Sequence, residues 1–132
     1  MKITGPLLVG CLLFALQPMA AFGQSAVNLE GSWRGNGFLK PNSGQKEKVR
    51  CRINYSKISD KIYSVSGTCA SPSGNVRQTG EVIKVSDTRF VGDFQNAEYD
   101  ISGRVRIILN GSRQTMTLTS SSGTGSLNLK KR

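Results

Sequence analysis

Histidine is absent from the 132-residue chain. That absence removes the most frequent general base, the usual transition-metal ligand and every Ser-His nucleophile pair. Carboxylates are scarce as well, 8 against 18 Lys and Arg. Asp93, Glu98 and Asp100 lie closest together. Asp93 and Asp100 read as solvated charges at a hairpin end beside Arg89 or Arg104 rather than as a catalytic pair. Cysteine occurs three times. No stretch carries apolar residues at i, i+3, i+4 and i+7, so helices are not expected. The glycine-rich stretches 31–37 and 123–125 therefore precede no helix and cannot offer a helix N-terminus to a phosphate. Neither a catalytic site, a metal nor a cofactor is expected, which points away from an enzyme.

The one long apolar run, residues 7–16, follows Lys2 and ends in Ala20, Ala21, Phe22 and Gly23. A positive start, a short apolar run and a small-residue exit describe a cleavable signal peptide over residues 1–23. The run is roughly ten residues, against about twenty for a bilayer span. Cleavage is expected near Gly23-Gln24, with Ala20 or Ser25 as near alternatives, and export to the periplasm or the medium. Leu8-Val9-Gly10-Cys11 has lipobox residue types, but Cys11 sits inside the apolar run instead of at its end. Losing Lys2 leaves 17 basic against 8 acidic residues in the mature part. Residues 24–132 make a single small domain, expected to be a monomer.

Period-two alternation recurs throughout that domain, broken by turn residues. It predicts eight strands, over 30–39, 47–57, 61–71, 75–85, 88–95, 99–109, 112–120 and 125–131. The connections are too short for parallel crossovers, so consecutive strands should pair as antiparallel hairpins. The fold class is all-β, an eight-stranded antiparallel meander. Closing it into a small barrel removes the exposed edges. The inward set is Trp33, Val49, Ile53, Tyr55, Val65, Phe90, Phe94, Tyr99, Ile101, Val105, Ile107, Met116, Leu118, Leu127 and Leu129. Gly35, Gly37, Gly67, Gly92 and Gly103 fall mid-strand, where small barrels bend.

Once the leader is removed, Cys51 and Cys69 are the only cysteines. Two lone cysteines in an oxidising compartment usually bridge. Their numbers sum to 120, placing the hairpin centre at Asp60, inside the turn chosen from composition alone. Opposed residues of a narrow antiparallel pair lie close enough for a disulfide. The same register sets Ile53 opposite Gly67 and Tyr55 opposite Val65.

Gly31-Ser32-Trp33 opens the first mature strand. In this the chain resembles the calycins, the lipocalin and avidin group of eight-stranded barrels, which carry Gly-x-Trp there. The resemblance implies that Trp33 packs near the barrel floor against a basic residue of the last strand, Lys131 or Arg132. The chain departs from lipocalins in its length and in lacking a helix after the barrel. It looks more like the compact avidin-type barrels and bacterial periplasmic enzyme inhibitors.

Lys48, Arg50 and Arg52 alternate with buried residues on one strand, and Arg104 and Arg106 on another. Such rows attract polyanions. Nucleic acid is disfavoured because most aromatics fall on the buried register. The leading expectation is a non-enzymatic periplasmic or secreted binding barrel. It would hold a small apolar ligand among Trp33, Tyr55, Phe90 and Tyr99, or touch an anionic envelope component. An inhibitor of a secreted protease or lysozyme is the alternative, acting through residues 41–45, residues 71–74 or an N-terminal segment over 24–29. A structural envelope protein is the third reading.

Overall fold

The computed structural model describes residues 28–132. The expected signal peptide, residues 1–23, and most of the expected N-terminal segment, residues 24–27, lie outside the described residues. The alternation produces β1 (Gly31–Pro41), β2 (Glu47–Lys57), β3 (Ile62–Ser71), β4 (Gly74–Ser86), β5 (Arg89–Asn96), β6 (Ile101–Asn110), β7 (Arg113–Ser120) and β8 (Gly123–Lys131). Each pairs antiparallel with the next, and β1 pairs with β8, so the meander closes into a barrel. Closure satisfies the backbone groups that an open sheet leaves unpaired at its edges.

The β2–β3 hairpin has the register that the cysteine numbers imply. Cys51 faces Cys69, Ile53 faces Gly67 and Tyr55 faces Val65. Cys51 and Cys69 are bonded, with their Cα atoms 4.1 Å apart. Both are buried, so the bridge is part of the core as well as a staple.

Closure brings β1 and β8 together where Gly35 and Gly37 face Leu129 and Leu127. A Cβ on Gly35 would stand 1.8 Å from the Asn128 carbonyl oxygen, and one on Gly37 would stand 1.9 Å from that of Ser126. No side chain fits there, and the two glycines let the first and last strands meet.

The interior is filled. Trp33 and Tyr55 meet edge to face at the end where the chain enters the barrel, with ring centroids 6.5 Å apart. Tyr63 and Phe90 pack edge to face at 5.6 Å. Leu29, ahead of β1, is fully buried, and its carbonyl accepts a 2.9 Å hydrogen bond from the Trp33 indole. Lys131 is the basic partner that Gly-x-Trp implies. Its Nζ lies 5.7 Å from the centroid of the Trp33 ring and donates to the Asn28 carbonyl at 2.8 Å.

Tyr99 departs from the inward set. It is 56% exposed and does not line the barrel. Strand β5 stops at Asn96, whose buried side-chain oxygen accepts from the Tyr99 backbone N–H at 3.1 Å, and Asp100 takes a left-handed φ of 53°. This side-chain turn delays β6 to Ile101 and leaves Tyr99 in the connection. The N-terminal segment expected to protrude is also tied down at its end, since Leu29 plugs the barrel floor.

Candidate functional site

Alternation that sends apolar side chains inward sends the intervening residues outward, and cross-strand register decides which of them become neighbours. Across the β7–β8–β1–β2–β3–β4 face the register links Arg113 to Lys130, Lys130 to Arg34, Arg34 to Arg52, Arg52 to Thr68, and Thr68 to Arg77. All six side chains are exposed. Four cations in succession, Arg113, Lys130, Arg34 and Arg52, are thus directly opposed neighbours, about 4.5–5.5 Å apart at Cα. Like charges in this relationship oppose sheet formation.

Among the described residues the ion pairs are Lys57–Asp60 at 3.9 Å, Lys84–Asp87 at 3.5 Å and Arg104–Asp93 at 4.0 Å, and none includes a rung residue. The outward positions of β7, β8, β1 and β2 carry Arg113, Lys130, Arg34, Lys40, Lys48, Arg50 and Arg52, with no carboxylate among them. Arg34 titrates below the ordinary arginine range. Partial desolvation on the sheet contributes most, followed by the neighbouring Arg132 and Arg52 charges.

The next rung is short and polar: Thr115, Asn128, Asn36 and Arg50 are successive partners. Its Thr and Asn side chains are short, and adjoining shallow depressions lie beside the cations. One runs past Arg34, Arg113 and Lys130, a second past Asn36, Lys48 and Arg50, and a third past Arg50, Arg52 and Arg77. Asn36 and Asn128 line both of the first two and Arg50 both of the last two, so the three depressions are neighbours on the surface. Phe38 is the one aromatic on this face, and Lys46 Nζ covers its ring at 4.4 Å from the centroid.

Of the five surface cations singled out from the sequence, Lys48, Arg50 and Arg52 join this face. Arg104 and Arg106 do not. Arg104 faces Asp93 across β5–β6, and Arg106 lies between Val91 and Thr117. Ile83 and Val85, toward the far end of β4, and Ile108 on β6 are about half exposed. Cations also lie outward on β5 and β6, as Arg89, Arg104 and Arg106, so what sets β7, β8, β1 and β2 apart is that no outward carboxylate accompanies theirs, whereas Asp93 stands opposite Arg104. The candidates drawn from the sequence omit Arg34, Arg77 and Lys130, and Arg113 as a partner of theirs; consecutive hairpins join Arg113 to Lys130 and Arg34 to Arg52, and the pairing of β1 with β8 joins these two halves.

The interior candidates Trp33, Tyr55 and Phe90 are packed against other side chains, and Tyr99 is outside. A residual void of about 20 Å³ lies beside Gly67 and Gly80, bounded by Ile53, Val65, Phe94, Val105, Met116 and Leu118. That is room for about one water molecule. At the open rim both connections expected for an inhibitor are pinned. Ser73 donates its N–H and hydroxyl to Glu47, whose carboxyl is thereby held below the usual carboxylate range, and Asn42 donates to the carbonyls of Ser121 and Ser122.

Several solved structures share the fold. A redesigned β-barrel, mFAP1, bound to DFHBI, superposes with a TM-score of 0.68 at 14% identity, covering 80% of this chain and 97% of that one. A de novo designed fluorescence-activating β-barrel gives 0.63 at 14% identity, covering 81% and 96%. Rv2717c from M. tuberculosis gives 0.53 at 11% identity, covering 83% and 96%. These likenesses show the fold, an eight-stranded antiparallel barrel. No protein-family model and no curated relative matches the sequence.

Proposed function

We propose that the protein works outside the cytoplasm as a non-enzymatic barrel that binds an anionic component of the cell envelope on its β7–β8–β1–β2–β3–β4 face. The carrying observation is the rung Arg113–Lys130–Arg34–Arg52, opposed like charges with no carboxylate among them. A face arranged for stability alone would interleave signs, because such pairs cost folding energy. An anion laid across the rung offsets that repulsion. The buried Cys51–Cys69 bridge supports an oxidising compartment. The non-enzymatic part of the reading rests on the absence of histidine and on the commitment of both mature cysteines to the bridge.

Retention on a sulfated-dextran matrix tests the reading. Arg34→Ser/Arg52→Ser should elute at clearly lower salt than Lys61→Ser/Arg89→Ser, which removes equal charge away from the rung. Equal elution of the two variants would reduce the interaction to net charge and defeat the proposal.

A second reading, a small apolar ligand inside the barrel, is favoured by the apolar-lined void at Gly67 and Gly80 in a fold whose designed neighbour mFAP1 holds DFHBI. Here a ligand larger than water has to displace Phe94 or Met116. Calorimetric titration with DFHBI checks this reading, and heat absent from wild type but present in Phe94→Ala would show that the interior is closed by its own side chains.

A further inference from the structure

The chemistry of the partner can be narrowed from the path of the rung, given the anion-binding reading on which this inference rests. From Arg113 on β7 to Arg77 on β4 the rung crosses five of the eight inter-strand steps of a closed barrel. At about 4.8 Å per step this is a track of about 24 Å that turns around more than half of the barrel. Strands of a closed barrel are tilted by about 35–45°, so a line perpendicular to them climbs as it turns. The cations therefore follow a curved, rising path.

A flat bilayer touches only one side of such a path. Duplex nucleic acid, stiff over about 150 base pairs, cannot bend around a single small barrel without a large deformation cost. A flexible linear chain can follow it. Single-stranded nucleic acid is flexible, but its binding relies on aromatic platforms for the bases. The face offers Phe38 alone, with Lys46 over its ring. What flanks the cations instead are short amide and hydroxyl groups, all exposed: Asn36, Asn128 and Thr115 on one side, with Ser126 beyond them, and Asn54 and Ser66 on the other. Thr115 donates to Asn128 and Ser32 to Asn54, which leaves the remaining groups of these side chains open. These are donors and acceptors suited to sugar hydroxyls, while the guanidinium forks suit carboxylate, sulfate or phosphate groups.

We propose that the rung is the track of a flexible, linear acidic polysaccharide, held by Arg113, Lys130, Arg34, Arg52 and Arg77 at its charged groups and by the neighbouring amides and hydroxyls at its sugars. The polymer wraps the outside of the barrel and does not enter it. The two ends of the track matter only to chains long enough to reach them.

The experiment is a binding titration with polygalacturonate oligomers of graded length, compared at equal charge with oligo-thymidylate, duplex DNA and vesicles containing phosphatidylglycerol. Affinity for polygalacturonate should climb with length until the chain spans the track and then level off. Arg77→Gln/Arg113→Gln should weaken the long oligomers at least fivefold and leave the shortest unchanged. Arg34→Gln/Arg52→Gln should weaken all lengths. Tighter binding of oligo-thymidylate, duplex or vesicles than of polygalacturonate would overturn the polysaccharide assignment while leaving an anion-binding face in place. Length-independent affinity would overturn the track. Failure of every polyanion to bind would remove both this inference and the reading beneath it.

Discussion

Arg34 and Arg52 are direct cross-strand partners on the outside of the barrel, with Lys130 on the other flank of Arg34 and no carboxylate on the outward positions of either strand. The relationship sets two demands against each other. Opposed like charges weaken the sheet, and the same arrangement raises the local concentration of polyanions.

Replacing Arg52 by Thr, a good strand former whose neighbour on β3 is already Thr68, should therefore stabilise the fold and weaken polyanion binding at once. The gain should be about 0.2–1 kcal/mol in low salt, the scale of one cross-strand pair. It should vanish near 1 M salt, where charges are screened within about 3 Å. Urea unfolding of both proteins at two salt concentrations measures this. A loss of stability in low salt would mean that Arg52 is held by favourable contacts and that the rung is not frustrated.

The Cys51–Cys69 bridge closes a loop 18 residues apart in sequence. In the chain-entropy account such a loop contributes about 3 kcal/mol by restricting the unfolded chain. Cys51→Ala/Cys69→Ala should lower the urea midpoint accordingly and become insensitive to reductant, whereas wild type should fall toward it when reduced. The barrel should remain folded, because the hairpin register is also set by its turn and by the pairing of Tyr55 with Val65.

Much of this architecture was legible because the relevant information is local. Alternation located the eight strands to within about two residues, and the cysteine numbers gave the register of one hairpin. Tyr99 was misplaced because a two-residue period carries no notice of the Asn96 side chain capturing the Tyr99 N–H. Val82 went unnoticed as core because its neighbours Ile83 and Val85, both apolar, face outward on the same strand and blur the alternation. The cationic rung was legible only in halves, Arg34 beside Arg52 across one hairpin and Arg113 beside Lys130 across another. Turn lengths constrain neighbouring strands, but no turn or bridge connects β1 with β8. The pairing of Arg34 with Lys130 follows only from how the barrel closes.

At the barrel floor, Leu29 should behave as core despite preceding the first strand. Leu29→Ala should cost about 2–5 kcal/mol, the range for buried leucines, measured by thermal or urea unfolding. Lys131→Met keeps the aliphatic stem and loses both the contact with the Trp33 ring and the bond to Asn28, so a smaller loss of about 1–2 kcal/mol is expected. A deletion meant to test an inhibitory N-terminal segment must accordingly stop at Val27. Removing Leu29 as well would confound lost inhibition with a weakened fold.

Tyr55 and Gln114 form a buried polar pair whose balance can be read through both mutation and pH. The Tyr55 hydroxyl donates to Gln114 Oε1 at 2.6 Å, while Gln114 Nε2 has no hydrogen-bond partner among the described residues. Tyr55→Phe leaves the whole amide unsatisfied, and Gln114→Met leaves the phenol unsatisfied. Each single change should cost about 1–3 kcal/mol. The double variant removes both polar groups and should be more stable than the sum of the singles predicts, with a coupling of about 0.5–3 kcal/mol. Burial raises the Tyr55 pKa above its ordinary value of 10.0, against the smaller opposing effect of the Gln114 hydrogen bond. The native state therefore keeps its proton where the unfolded chain gives it up. The stability that this proton confers is complete below pH 10 and declines as pH rises further, by up to about 1.4 kcal/mol per pH unit. Wild type should lose stability more steeply than Tyr55→Phe/Gln114→Met above pH 10, with their difference constant below it. Parallel curves across that range would mean that the phenol is not held neutral by the core.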